Sequence, residues 1–381
     1  MTSQNPFGRP GGIQPGRGRT RVLLVDDSAV MRSLLRMVLE PQPSIEIAGA
    51  ATNGQEAFAA FDALHPDLVL LDIEMPGMNG LDVLSGLRRR NRRVPIIMCS
   101  TLTMRGARIT IEALARGATD YVAKPGAQHN LREGVETLTR ELIPKILALF
   151  PATDARSAAP PPDPRFTARA PEIRLPPAGP ALRPKIVVIG VSTGGPAALE
   201  ALLPKIPASF PLPILIVQHM PRLFTALLPE RLDHLCSLQV READEGVRPE
   251  PGVVDIARGD FHLELTPDLR LRLNQNPPES FCRPSVDVLF RTAAQACSGH
   301  LLGVVLTGMG SDGLAGSRAI RAAGGQVFAQ DSATSVIWGM PGSVVNAGLA
   351  NKIVALDALP GEILRTAAQS TTAAPKAEAL A

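Results

Sequence analysis

The stretch Val187-Val188-Ile189-Gly190-Val191-Ser192-Thr193-Gly194-Gly195-Pro196 decides how the second half of the chain is read. Three apolar residues, rich in β-branching, have the pattern of a buried strand. The glycines then permit a tight turn with positive φ, and proline suits the first turn of a following helix. Ser192 is therefore held on a strand-to-helix corner, with its hydroxyl clear of the sheet and helix N–H groups close by. The spacing Gly190-x-Ser192-x-Gly194 has the form of a nucleophile elbow. Two other readings are open on this stretch alone. One is a dinucleotide-binding turn, which needs a glycine where Ser192 stands. The other is an ordinary tight turn that happens to carry a serine.

Working outward from the elbow, Leu212–Val217 is a second apolar strand, ending in Gln218-His219-Met220-Pro221, and a helical pattern runs from Phe224 to Leu235. Short alternating runs such as Phe261–Leu265 and Leu269–Leu273 give residues 237–275 an antiparallel look. Ser285–Cys297 reads as a helix. Leu301–Leu306 is a strand closing on Thr307-Gly308-Met309-Gly310-Ser311-Asp312-Gly313. A strand at Gln326–Ala329 and a helix near Ala358–Ala367 complete a domain expected over 185–368, followed by a mobile Ala/Thr-rich tail over 369–381.

Three strands of this domain end in chemically matched groups. A serine hydroxyl is a poor nucleophile until a base takes its proton; a histidine does so near neutral pH, and a carboxylate fixes its tautomer. Ser192, His219 and Asp312 are the expected set. Of the four histidines in the domain, His234 falls at a helix end, His262 in a hairpin strand and His300 before a strand, so only His219 stands at a strand's carboxyl end. The order Ser, His, Asp departs from the Ser, Asp, His order of α/β-hydrolases, so the domain is not that fold. Met309, flanked by glycines, offers a backbone N–H to a developing oxyanion, and Thr193 is placed with it in support.

The first half alternates strands and helices. Arg21–Val25 ends in Asp26-Asp27, Asp67–Asp72 ends in an acid, Pro95–Ser100 ends in a hydroxyl, and Asp120–Lys124 ends in a lysine before proline. Helical patterns lie at Gly54–Ala63, Leu81–Arg90, Arg108–Ala115 and Leu131–Leu149. This is a parallel sheet with helices on both faces over residues 21–148. Its functional groups gather at the carboxyl ends of the strands. Three carboxylates at one edge repel one another unless a divalent cation neutralises them, and such hard oxygen ligands suit Mg2+. A carboxylate beside Mg2+ can accept a phosphoryl group, whose oxygens a lysine and a hydroxyl then stabilise.

The chain has 381 residues, enough for two or three domains. Its 45% hydrophobic and 20% charged content is that of a soluble globular protein. A net charge of +3 argues neither for nucleic acid nor for a membrane surface as partner, and 3% aromatics leave little for stacking single-stranded bases. Four scattered cysteines form neither a disulfide frame nor a zinc motif and read as reduced thiols in the cytoplasm. Residues 1–20, rich in Gly, Pro and Arg without an apolar core, are expected to be disordered and do not form a signal peptide. No apolar run reaches membrane-spanning length. Between Pro151 and Pro184, ten prolines and eight alanines mark a semi-extended linker, taken as 149–184.

Residues 21–148 resemble a response-regulator receiver domain, carried by the five strand-end groups and by the loop Asp72-Ile73-Glu74-Met75-Pro76-Gly77-Met78-Asn79-Gly80. The resemblance implies Asp72 as phosphoacceptor, Asp26 and Asp27 as its acidic metal partners, Ser100 as switch hydroxyl in preference to Thr101, Tyr121 as switch aromatic and Lys124 as the phosphate contact. The second domain resembles the chemotaxis protein-glutamate methylesterases. The motifs are Gly190–Gly195, Gln218–Pro221, Arg283–Phe290, Leu306–Gly313 and Gly339–Pro341. Together the resemblances imply an α/β chain with a doubly wound receiver, a linker, and a second doubly wound catalytic domain with an antiparallel hairpin region. They imply a cytoplasmic, monomeric, phosphorylation-activated hydrolase that demethylates glutamyl esters and deamidates glutamines on chemoreceptors, phosphorylated by the chemotaxis histidine kinase. No cofactor is expected for hydrolysis. The same chemistry in a non-chemotactic receptor pathway, or a second domain that only binds a partner, are the alternative readings. Val191 and Ser332 depart from the usual family residues, and the linker is long for the family.

Overall fold

Among the described residues, twelve short strands are assembled into two parallel sheets, one of five and one of seven. The computed structural model describes residues 18–126, 131–151 and 182–371, which fall into two compact units, one within 1–178 and the other within 179–381. The expected linker lies largely outside the described residues, as do residues 1–17 and 372–381 of the expected tails.

The first unit strings together β1 (Thr20–Val25), α1 (Ala29–Leu39), β2 (Ile45–Ala51), α2 (Gly54–Leu64), β3 (Leu68–Asp72), α3 (Gly80–Arg90), β4 (Ile96–Ser100), α4 (Met104–Ala115), β5 (Asp120–Ala123) and α5 (Leu131–Leu149). Helix starts follow local chemistry: Ser28, Asn53, Asn79 and Thr103 each accept a backbone N–H of their own first turn. The strands are all parallel in the order β2-β1-β3-β4-β5, so the direction of winding reverses between β1 and β3. That reversal opens a crevice at the strand ends carrying Asp26 and Asp72. The strand β2 is a fifth that the sequence reading lacked. It is a sheet edge with only its first and last residues fully buried, and its Ala and Gly residues have low strand propensity.

The second unit contains β6 (Ile186–Val191), α6 (Gly195–Leu202), β7 (Ile214–Gln218), α7 (Arg222–Leu235), β8 (Gln239–Glu242), β9 (Val253–Ile256), β10 (His262–Leu265), β11 (Leu271–Asn274), α8 (Val286–Ala296), β12 (Leu301–Val305), α9 (Leu314–Ala322), β13 (Gln326–Gln330), α10 (Met340–Asn346), β14 (Lys352–Val354) and α11 (Leu359–Thr371). Seven strands form one sheet in the order β14-β13-β12-β6-β7-β9-β8. The antiparallel reading of residues 237–275 holds only for the β10–β11 pair. The strands β8 and β9 are instead parallel members of the main sheet, β9 pairing with β7. Alternation along a strand reports its burial, not the direction of its neighbour, and this is why the reading erred. The last helix continues through Thr371, past the point where the tail was expected to begin.

Winding reverses again between β6 and β12, which are hydrogen-bonded neighbours with Gly190 opposite Val305. All six residues of β6 are buried, as a central parallel strand requires. Gly190 is needed for packing: a Cβ built there would overlap the Val286 side chain at the start of α8. Gly190→Ala should therefore destabilise the second unit by about 1–3 kcal/mol. Adding Val286→Ala should restore part of that loss. Urea unfolding of the full chain, both single variants and the double variant closes the cycle, and simple additivity of the two changes would show that the contact is not the reason for glycine.

Candidate active site

The carboxyl ends of β6, β7 and β12 bring the three expected groups of the second unit to one edge. Ser192 directly follows β6, and Gly194 takes φ +78° so that α6 can begin at Gly195. The corner is tied down by its backbone: Ser192 N–H donates to Thr307 O at 3.0 Å, and Gly195 N–H donates to Ser192 O at 2.8 Å. Gln218, the last residue of β7, donates through Nε2 to Ser192 O (3.1 Å) and His219 O (3.2 Å), strapping the two loops together. His219 N–H donates to Val191 O at 3.2 Å.

His219 Nε2 lies 2.8 Å from Asp312 Oδ2. The carboxylate is 3% exposed and accepts three more hydrogen bonds, from Ser285 Oγ (2.9 Å), Val286 N–H (2.8 Å) and Asp287 N–H (2.9 Å). Burial alone would favour its neutral form, but the His219 bond and charge, with these backbone donors, hold its pKa below the ordinary carboxylate value. Burial likewise works against the charged imidazole, yet the bond to Asp312 prevails and raises the His219 pKa. When the ring is neutral, Nε2 facing the carboxylate carries the proton and Nδ1 the lone pair. Among the described residues no hydrogen bond joins Ser192 Oγ to His219; Nδ1 has Cys282 Sγ at 3.6 Å instead. Asp287 is a buried neighbour whose Oδ1 accepts Gly313 and Gly316 N–H at 2.9 and 2.6 Å. Burial, then the charge of Asp312, push its pKa up to about 6.

Gly308 must be glycine, since a Cβ there would meet Met340 Sδ and lie 2.8 Å from Ser192 Cβ. The next residue, Met309, has a backbone N–H without a partner among the described residues. Thr193 is buried, and its carbonyl accepts Thr307 Oγ1 at 2.9 Å. The sequence reading did not assign roles to Gln218, Cys282, Ser285 or Asp287. Three of them fall in the motif segments already quoted, and Cys282 immediately precedes one, but nothing in spacing tells which backbone or ring atom each will meet.

The first unit gathers its own cluster. Asp26 and Asp72 are buried, Asp27 is exposed, and the three offer carboxylate oxygens within 4.8 Å of one another. Lys124 Nζ contacts Asp26 Oδ2 at 2.8 Å and Asp72 Oδ1 at 2.7 Å. Burial raises the Asp72 pKa, the nearby Asp26 charge adds to it, and the ammonium only partly offsets both. One ammonium faces two buried carboxylates with a third beside them, leaving excess negative charge on hard oxygen donors that a divalent cation would offset. The residues present therefore fit Mg2+. Ser100 Oγ is turned to the Gly106 carbonyl (3.3 Å) and Thr110 Oγ1 (2.7 Å), while Tyr121 is buried with its carbonyl accepting Lys145 Nζ at 2.8 Å.

Comparison with known proteins follows the same division. Residues 22–136 match the model of the response regulator receiver domain, and residues 187–363 match that of the CheB methylesterase. A protein-glutamate methylesterase/protein-glutamine glutaminase of Nocardioides sp. is 47% identical over 367 residues, covering 94% of this chain and 99% of that protein. One from Trichodesmium erythraeum is 45% identical over 350 residues, covering 91% and 98%. Among solved structures, the Thermotoga maritima CheB methylesterase catalytic domain is 41% identical, with a TM-score of 0.47, covering 48% of this chain and 98% of that one. With a receiver, a methylesterase domain and near-full-length identity of this order, the chain belongs to the protein-glutamate methylesterase/protein-glutamine glutaminase family.

Proposed function

We propose that the chain is a phosphorylation-activated serine hydrolase, with a receiver over 21–148 and a catalytic domain over 185–368. It would remove methyl groups from glutamyl esters and deamidate glutamines on chemoreceptor cytoplasmic segments during chemotaxis, and so work in the cytoplasm. The observation that carries this reading is the 2.8 Å bond between His219 and a fully satisfied Asp312, at the strand ends flanking the Ser192 corner.

In the reaction, Ser192 Oγ attacks the side-chain carbonyl of the substrate glutamyl ester or glutamine. Its proton passes to His219 Nδ1, and the imidazolium is stabilised by Asp312 through Nε2. The Met309 N–H, with Thr193 in support, receives the developing oxyanion. Collapse returns the proton to the leaving group, releasing methanol or ammonia, and water then hydrolyses the acyl-serine by the same steps. Catalytic hydrogen bonds are commonly long before substrate binds, which accords with the unpaired Ser192 Oγ.

In the receiver, Asp26, Asp27 and Asp72 would hold Mg2+, which neutralises the phosphoryl group and the acids around it when bound. Asp72 accepts the phosphoryl group from the chemotaxis histidine kinase, and Lys124 moves its ammonium to the new charge. Ser100 is the hydroxyl that turns to the phosphoryl oxygens, giving up the Gly106 and Thr110 contacts, with Tyr121 following. Each tenfold of activation requires only about 1.4 kcal/mol of differential preference between the two receiver states.

Ser192→Ala and His219→Ala should each slow methanol release and ammonia release together, by about 10³-fold or more, because one nucleophile and one base serve both reactions. A variant that loses one product and keeps the other would refute the shared acyl-serine. Chelation of Mg2+ should abolish phosphorylation by a small phosphodonor while leaving hydrolysis by residues 185–381 intact; loss of both would indicate a metal-dependent esterase. Those residues alone should also hydrolyse methylated receptor faster than the unphosphorylated full chain, and Asp72→Asn should hold the full chain at its low rate with phosphodonor present. Equal rates for the short and full chains would make the receiver a targeting module.

A further inference from the structure

Hydrolysis leaves one neighbour of the imidazole without a part to play. Cys282 Sγ stands 3.6 Å from His219 Nδ1, the ring nitrogen that Asp312 does not hold. A zinc ion bound tetrahedrally has bonds of about 2.3 Å to sulfur and about 2.0–2.1 Å to imidazole nitrogen, which separates the two donor atoms by roughly 3.5–3.6 Å. The pair already has that spacing. It also has the supporting geometry of a metal site: a carboxylate on the far ring nitrogen fixes the tautomer and leaves the lone pair on Nδ1. Ligand atoms of His219, Cys282 and Asp312 lie within 4.8 Å of one another, but Asp312 is saturated by four donors and remains behind the imidazole.

The sulfur is held in place. Glu279 and Cys282 exchange backbone hydrogen bonds of 3.2 and 3.0 Å across a tight turn, with Ser280 and Phe281 at φ +54° and +62°. Glu279 is clamped by both terminal nitrogens of Arg291 on α8, each at 2.8 Å. Both Cys282 and His219 are half-buried, and the fully exposed Phe281 beside them marks an open approach from solvent.

We propose that His219 Nδ1 and Cys282 Sγ form a binding site for a soft or borderline divalent cation, Zn2+ foremost, that shuts off the hydrolase. Thiolate and imidazole select such ions, whereas the all-oxygen set of Asp26, Asp27 and Asp72 selects hard ones. On binding, the Cys282 thiol releases its proton to water, its sulfur and Nδ1 each donate a lone pair to the metal, and water fills the remaining positions. No group is oxidised or reduced. The inhibition rests on the catalytic reading above, because a metallated Nδ1 cannot take the Ser192 proton; the binding does not.

The test uses the metal-free full chain with excess Mg2+ to fill the acidic cluster. Co2+ should give a thiolate-to-metal charge-transfer band in the near ultraviolet. Cys282→Ala should abolish that band, while Cys236→Ser and Cys297→Ser keep it. Zn2+ affinity, read by competition with a chromophoric chelator, should fall in Cys282→Ala by more than the roughly 10–100-fold typical of losing an outer partner. Inhibition of methanol release by Zn2+, measured for each variant against its own metal-free rate, should weaken in parallel. No band in the wild-type chain, or a band that survives Cys282→Ala, overturns the site. A Cys282-dependent band with full hydrolysis at saturating Zn2+ overturns the inhibition. The same band in a chain that never hydrolyses methylated receptor would leave the metal site standing and refute the hydrolase reading.

Discussion

The second unit depends on one buried carboxylate finding enough donors. Asp312 is taken almost wholly out of water, which would cost several kcal/mol for an unpaired charge. Four hydrogen bonds offset that cost, and they come from distant parts of the sequence: the loop after β7, and the residue before α8 with the first two residues of that helix. The start of α8 is a favourable place for an anion, since its first N–H groups have no partners within the helix. Satisfying Asp312 therefore fixes α8 against the end of β12 and sets the imidazole plane in the same stroke. Val286, whose N–H is one of the four, is also the side chain that excludes a Cβ from Gly190 in β6. Fold and site share the same few atoms.

Asp287 shows the cost of this arrangement. It lies next to Asp312, is itself buried, and turns its carboxylate to the first turn of α9. Burial first, and then the charge of Asp312, push its pKa up to about 6, while the acid facing the histidine keeps its charge. The receiver solves the same problem differently. There Lys124 stands between Asp26 and Asp72, and the residual negative charge suits a hard cation.

Much of this was legible in the sequence because chemistry-bearing residues at strand ends are a local signal. Ser192, His219, Asp312, Asp72 and Lys124 each follow or close an apolar run, and parallel sheets collect such ends on one edge. Two kinds of feature were not legible. The strands β2 and β14 lie at sheet edges with half of their residues in contact with water, so their apolar content is too low to stand out. The parallel placement of β8 and β9 depends on partners such as β7 that are distant in sequence. Atomic roles were hidden for a related reason. Which imidazole nitrogen meets Asp312, and that Ser285 and Gln218 serve as positioning groups, follow from packing that no spacing rule encodes.

The strand order of the second unit also has a temporal meaning. Its central strand, β6, is the first to be made, yet one of its two neighbours, β12, lies about 110 residues further on. The carbonyl that receives Ser192 N–H belongs to Thr307, and the carboxylate that orients His219 belongs to Asp312. A chain still on the ribosome thus has the Ser192 corner early and the carboxylate that meets His219 late. The first unit closes its sheet by residue 123, from contiguous chain, and can be complete before β12 emerges. The order of synthesis places the regulator ahead of the activity it regulates.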